Sequence, residues 1–267
     1  MSAFAPGSVT AIFAPADHPD ESLGASFAIA DGVVADVGPA DGGDGLGDEA
    51  GIVTVDGSPT DFEPVELALD ELDVSARVEL DAEIPIGRGF GASGAATLAT
   101  ALAADAEFDL DYSREELVQL SHRAEVEAGT GLGDVFIQNQ GGLLVGNNTG
   151  VERYDPEATI EYESYGGIDT SEVLSDDDLL ARIEKVGRTA LASLPAEPTP
   201  RELTVEGWNF ARKTGLPTKE VEETVDDVES AGGTASMAMV GETVFAVGVE
   251  GVLDNRTEIS TAGAELR

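Results

Sequence analysis

Gly87, Gly89 and Gly91 alternate within the stretch Ile84-Pro-Ile-Gly-Arg-Gly-Phe-Gly-Ala-Ser-Gly-Ala-Ala-Thr97, and an Ala-rich run opens directly behind them. Glycine lacks a Cβ, so a backbone built this way turns tightly and brings its N–H groups close to another surface. Residues 92–106 have high helix propensity apart from Gly94. A glycine loop ending at a helix N-terminus gathers unpaired N–H groups at the positive end of the helix dipole, which suits a phosphate. Pro85, Gly87, Arg88, Gly89, Gly91, Ala92, Ser93 and Gly94 therefore form the candidate nucleotide-binding set. The chemistry they point to is phosphoryl transfer.

Other glycine motifs fit less well. Gly89 to Gly94 formally matches G-x-G-x-x-G, the dinucleotide fingerprint. That motif follows a strand buried on both faces. Here Val78, Leu80, Ala82 and Ile84 alternate with Arg77, Glu79, Asp81 and Glu83, the period of a strand with one wet face, and Pro85 ends it. A second helix from about Ser113 follows, not a second parallel strand. A protein-kinase loop would lie between two strands, and a Walker loop needs a Lys, whereas the first Lys is Lys185.

Phosphoryl transfer asks for neutralisation of the phosphates, a metal held by oxygens, and a group that aligns the attacking hydroxyl. Ser93 stands where its hydroxyl could meet Mg²⁺, and Mg²⁺ favours one or two carboxylates plus substrate oxygens. Glu125 and Glu127, late on the next helix, are the candidates to complete that site. Asp134 lies between Gly133 and an apolar run, a placement that could bury its carboxylate nearby.

The elements that position these residues are strands and helices mixed without βαβ alternation, an α+β pattern. Strands are expected at Val9 to Phe13, Ala25 to Ala30, Gly32 to Val37 and Ile52 to Val55, with a solvated Gly/Asp-rich loop at Gly38 to Gly51. Asp61 to Leu72 has helical spacing, and Ser113-x-x-Glu116 is a capping box opening a helix to about Ala128. Leu143 to Val145 reads as an apolar strand. Gly146 to Pro156 reads as a boundary between an N-terminal domain, 1–152, and a C-terminal domain, 153–267. The second half carries a strand near Thr159 to Ser164 and helices at Asp176 to Leu194, Pro200 to Lys213 and Lys219 to Ser230. The second of these opens on the capping box Thr199-Pro-Arg-Glu202. Strands at Ala235 to Val240, Thr243 to Val249 and Thr257 to Thr261 close the chain.

With these residues in view the chain resembles the GHMP kinases. Pro85 to Ala95 is similar to their second motif, P-x-G-x-G-L-G-S-S-A-A, with Phe90 for Leu, Ala92 for the first Ser and Gly94 for an Ala. Ala5-Pro6-Gly7 resembles the start of their first motif, followed by Ser8 where several relatives have a cation. Asp134 with Gly141-Gly142 resembles the catalytic Asp upstream of paired glycines. The resemblance implies ATP and Mg²⁺ as cofactors, Ser93 and Glu125 on the metal, and Asp134 on the substrate hydroxyl. It also implies an α+β, two-domain GHMP kinase fold: an N-terminal domain like ribosomal protein S5 domain 2 and a ferredoxin-like C-terminal domain. Gly232 to Gly241 and Gly131-Leu-Gly-Asp-Val135 look like the archaeal pantoate kinases of this family. That likeness implies phosphorylation of the 4-hydroxyl of pantoate, on the way to coenzyme A, with Ser22 and His122 at the substrate. Gly146 stands where that group usually carries an Arg, which leaves Arg153, Arg123 or Arg88 for the substrate carboxylate, with Arg153 the choice. A mevalonate, homoserine or shikimate kinase, or an inactive nucleotide-binding relative, are the alternatives.

Composition limits the partners. The chain has no cysteine, and its only histidines are His18 and His122, which excludes thiolate chemistry and a His-rich metal centre. Nucleic acid is an unfavourable partner for 53 acids against 14 bases, because phosphate neutralisation needs clustered Lys and Arg. No apolar run reaches the roughly 18 residues of a membrane span, and the first residues lack a basic signal-peptide start, so a cytoplasmic protein is expected, with a homodimer left open. The formal charge of −39 is interleaved with apolar periodicity, as in a folded protein adapted to high salt. The thermal midpoint is therefore expected to rise steeply between dilute buffer and molar KCl; a flat melting series would contradict this.

Overall fold

The computed structural model describes residues 1–16, 22–40, 53–168 and 176–267. His18, Glu21 and most of the loop expected at Gly38 to Gly51 lie outside the described residues. Two antiparallel-rich sheets and the helices around them share one continuous apolar core.

The first sheet is built on a long pair, β1 (Ser2–Pro15) and β2 (Ser22–Pro39). Two separate strands were expected where β2 runs through without a break. The ladder shifts register between Pro6 and Gly7, which pair with Gly32 and Ile29, so Ala30 and Asp31 of β2 form a bulge opposite Pro6, which has no N–H to donate. Gly32 sits opposite: a Cβ there would overlap the Ala5 carbonyl. The strand therefore passes through what reads locally as a turn. Beyond β2 lie β5 (Ala76–Ala82), then β3 (Val53–Val55) and β4 (Ser58–Pro59). β5 alternates buried and exposed residues as its sequence period requires.

The other half of β2 pairs with β6 (Leu143–Asn147), which turns back into β7 (Gly150–Tyr154). The Asn- and Gly-rich segment expected as a linker is thus a hairpin turn, and residue 152 falls inside β7. The short β12 (Glu265–Leu266) returns to pair with β1.

Helix α2 (Ala92–Phe108) is the centre of this half, with residues 94–104 buried without interruption. Its low amphipathicity is the signature of a helix covered on all sides, and Ala side chains let β1, β2 and three helices approach closely. Those helices are α1 (Glu63–Glu71), α3 (Arg114–Glu127) and the short α4 (Asp134–Gln140). Both sides of the expected capping box close at Ser113.

The second sheet orders β11 (Asn255–Glu258), β8 (Thr159–Gly167), β10 (Gly241–Val247) and β9 (Thr234–Met237). Helices α5 (Asp177–Ser193), α6 (Pro200–Thr214) and α7 (Lys219–Ser230) accompany it, and the Thr199–Glu202 capping box opens α6. Helices α5 and α6 also pack on β1, whose residues are mostly buried on both faces. Edge-to-face rings join the halves: Phe27 with Phe245 at 5.5 Å, Phe13 with Phe210 at 5.8 Å and Phe90 with Tyr162 at 4.7 Å. The last pair fixes the glycine loop to β8. Among the described residues no helix is long and apolar enough to cross a membrane.

Buried Glu161 on β8 accepts the backbone N–H groups of Gly251, Val252 and Leu253. Burial raises its pKa, but those three donors and the Arg256 charge outweigh this and hold it below the ordinary value. A depressed carboxylate stabilises the fold fully above its unfolded pKa, and that contribution fades as pH falls through the folded value. Glu161→Gln should cost about 2 kcal/mol at pH 7. The gap from wild type should narrow below about pH 4, as read by urea melts across pH.

Candidate active site

The glycine loop follows β5 and enters α2 with Gly87, Gly89 and Gly91 at φ of +69°, +89° and +62°. All three lie in the left-handed region that glycine tolerates best. Gly91 is the residue just before the helix and carries no capping side chain. The first N–H groups of α2 are thereby left for a ligand. Arg88 is half-buried, and its carbonyl accepts the Thr243 hydroxyl at 2.7 Å, which ties the loop to β10.

Beside the start of α2 lies a cavity of about 470 Å³. Gly87, Gly89, Gly91, Ala92, Ser93 and Gly94 line one part of it, and Ser22, His122, Glu125 and Asp134 line the remainder together with Thr10, Ser26 and Gly146. The sequence candidates from four separate segments are therefore brought to one place. Pro85 and Arg88 belong to the loop but do not line the cavity.

Glu125 is 3% exposed on α3. Its Oε1 accepts the hydroxyls of Ser93 at 2.8 Å and Thr97 at 2.7 Å, and its Oε2 accepts that of Thr130 at 2.8 Å. Burial pushes its pKa up, the three hydroxyls pull it down, and the charge of Asp134 pushes it up again; the net shift is upward. Glu127 points instead to the exposed side of the helix. Thr97 and Thr130 are partners that sequence reading missed, since a Thr in an Ala-rich helix carries no signal of its own.

Asp134 opens α4, a short helix where the sequence showed only an apolar run. Its Oδ1 accepts the hydroxyls of Ser8 at 3.2 Å and Thr10 at 3.5 Å, while Oδ2 lies on the Gly131 side. Burial raises its pKa and the two hydroxyls lower it, with a net upward shift.

The substrate candidates divide. Ser22 donates to the Leu132 carbonyl at 3.2 Å, and the buried His122 ring lies 4.9 Å from that of Phe136. Both line the cavity. Arg153 does not reach it. Its guanidinium donates to the carbonyls of Gly141 at 3.2 Å and Thr261 at 2.8 Å, and pairs with Asp155 at 2.6 Å. One carbonyl of the Gly141-Gly142 turn and that of Thr261 capture it. Arg123 pairs with Glu71 on the surface. None of the 14 Lys and Arg residues, all within the described segments, lines the cavity.

Two departures from the family motif now have structural partners. Phe90 fills the space against Tyr162. At Gly94 a Cβ would stand 2.8 Å from Gln138 Oε1 and 3.4 Å from Asp134 Cβ, so its absence lets α4 close on α2.

A loop of left-handed glycines opening a buried helix, with Glu125 and Asp134 on the same cavity, is the arrangement expected of a phosphoryl-transfer site of the GHMP type. Residues 63–142 match the model of the GHMP kinases N terminal domain. The chain is 33% identical to the pantoate kinase of Thermococcus kodakarensis, over 92% of this chain and 87% of that one. It is 30% identical to the pantoate kinase of Methanospirillum hungatei, over 93% and 87% respectively. A solved phosphotransferase related to the CoA biosynthesis pathway superposes with a TM-score of 0.82 at 28% identity, covering 100% of this chain and 98% of that one. The chain belongs to the GHMP kinase family and has its α+β fold.

Proposed function

We propose that this protein is an ATP-dependent pantoate kinase of the cytoplasm, one that transfers the γ-phosphoryl group to the 4-hydroxyl of pantoate. The observation that carries the reading is the meeting of Ser93, Glu125 and Asp134 in one cavity at the start of α2. The relatives named pantoate kinase, similar over most of the chain, support the choice of substrate. The acidic surface supports a working environment of molar salt. Two units, 1–152 and 153–267, are part of this reading; the separate second sheet from Thr159 onward supports it, while β7 spans the proposed boundary and β12 returns to the first sheet.

In this reading the N–H groups of the glycine loop and of the first turn of α2 bind the phosphates of ATP. The oxygens of Ser93 and Glu125 form a hard donor pair of the kind Mg²⁺ prefers, and they are already 2.8 Å apart. Bound there, Mg²⁺ would neutralise charge developing on the phosphates. Asp134, held through Oδ1, presents Oδ2 to the pantoate hydroxyl, orients it and accepts its proton as the new P–O bond forms. Ser22 and His122 hold the remainder of the substrate.

Comparing ADP release in molar KCl with pantoate, mevalonate, homoserine and shikimate tests the substrate; a preference for any of the last three would overturn it. Ser93→Ala and Glu125→Ala should each fold and lose Mg²⁺-dependent turnover by roughly 100-fold or more. Near-wild-type rates in either variant would remove that residue from the metal site. Asp134→Asn should lower kcat by at least about 100-fold while ATP binding persists, because the phosphate loop is untouched. Full turnover of that variant on its best substrate would disprove the proposed mechanism.

A further inference from the structure

Gln138 lies one helical turn after Asp134, so both side chains leave α4 on the same face. It is fully buried and does not line the cavity. Its Nε2 donates to the Gly91 carbonyl at 2.6 Å and to Ser8 Oγ at 3.4 Å. Ser8 is 1% exposed, and its hydroxyl donates onward to Asp134 Oδ1 at 3.2 Å.

These contacts have a fixed direction. A carbonyl can only accept, so the amide must turn its NH₂ towards Gly91. The second N–H then points to Ser8, whose single proton is left for Asp134. Gly91 O also accepts the Ala95 N–H at 3.0 Å, the first hydrogen bond of α2. Ser8 N donates to the Phe90 carbonyl at 2.9 Å, so the same residue holds the loop through its backbone. The Gln138 amide therefore donates in two directions, to the last turn of the glycine loop and, through the Ser8 hydroxyl, towards the carboxylate across the cavity.

We propose that Gln138 is a positioning residue that couples the phosphate loop to Asp134, fixing the Gly91 peptide with one N–H and orienting the Ser8 hydroxyl with the other. The inference rests on the proposed role of Asp134. Gln138 touches neither phosphate nor acceptor; it sets the distance and angle between the groups that do. Alignment carries much of the catalysis in phosphoryl transfer, so a small displacement of Asp134 against the loop is felt in kcat. Gly91 and Gly94 are the complementary part of the device. A Cβ at Gly91 would overlap Ser8 Oγ, and one at Gly94 would press on Gln138 Oε1.

The test compares wild type, Ser8→Ala, Gln138→Leu and the double variant by ADP release, with Asp134→Asn alongside and folding checked by thermal melts. Gln138→Leu is expected to lower kcat by about 10- to 100-fold with KM for both substrates within about threefold. The double variant should be no slower than the slower single one, because both changes break the same chain. A kcat within twofold of wild type in folded Gln138→Leu, or effects of the two substitutions that simply multiply, would overturn the proposal. Gln138→Glu gives a second reading should the leucine variant not fold. Its carboxylate can donate to neither Gly91 nor Ser8, but protonation restores one donor. Its kcat relative to wild type should therefore climb as pH falls from about 8 to about 5; a ratio that does not change with pH would count against the coupling. An active Asp134→Asn variant would show instead that the underlying mechanism is wrong, whatever Gln138 does.

Discussion

The start of α2 and the start of α4 approach each other with no room for a side chain between them, and the site depends on that contact. A Cβ at Gly94 would lie 2.8 Å from Gln138 Oε1 on α4, and one at Gly91 would overlap Ser8 Oγ. Interiors packed to crystal-like density do not give way by such amounts without moving their neighbours. The two short glycine positions thus set how far Asp134 stands from Ser93, and α3 completes the triangle by bringing Glu125 to 2.8 Å from the Ser93 hydroxyl. The Ala-rich sequence of α2 serves the same end, since only small side chains let β1, β2 and α4 crowd one helix. The far side of the loop is held by a larger group: Phe90 meets Tyr162 edge to face, and Arg88 is tethered through its carbonyl to Thr243.

How much of this could be read from the chain depended on how local the cause was. The glycine loop, the alternation of β5 and the capping boxes at Ser113 and Thr199 are written in a few adjacent residues, and each formed as its sequence required. β2 reads as two strands because Asp31-Gly32 resembles a break; Ala30 and Asp31 instead form a bulge across from Pro6-Gly7, and a partner strand some 25 residues away leaves no local mark. β7 was missed for a related reason. Asn147 to Gly150 signals a turn whether a linker or a hairpin follows, and only pairing with β6 decides which. In the site, Ser93, Glu125 and Asp134 were found by motif, whereas Thr97, Thr130 and Gln138 become visible only as the hydroxyls and amide that hold those motif residues. Arg153 was chosen because a carboxylate needs a cation, but charge alone does not say where a guanidinium will find carbonyls.

That last point extends to the other arginines. Arg114 donates to the Ala264 carbonyl and to Asn139, Arg182 to the Thr214 carbonyl, Arg188 to the Pro15 carbonyl, and Arg201 to the Thr234 hydroxyl. These bonds fasten segments distant in sequence, and the five-donor fork of Arg suits it to span them. A chain of 53 acids and 14 bases has few such groups, and here several are committed to architecture. The cavity is left with two carboxylates and no side-chain cation, yet the proposed substrates are both anions. Attraction must then come from what the fold supplies without charged side chains. The N–H groups of the glycine loop and the unfilled first turn of α2 give a fixed positive potential at one wall. Burial shifts the pKa of Glu125 and Asp134 upward, so each carboxylate holds its charge less readily here than it would in water. Molar salt would contribute in the same direction by screening the acidic surface from an approaching anion. A cation-poor site and an acid-rich surface are in this way compatible parts of one electrostatic arrangement, in which the backbone of the glycine loop supplies a fixed positive pole.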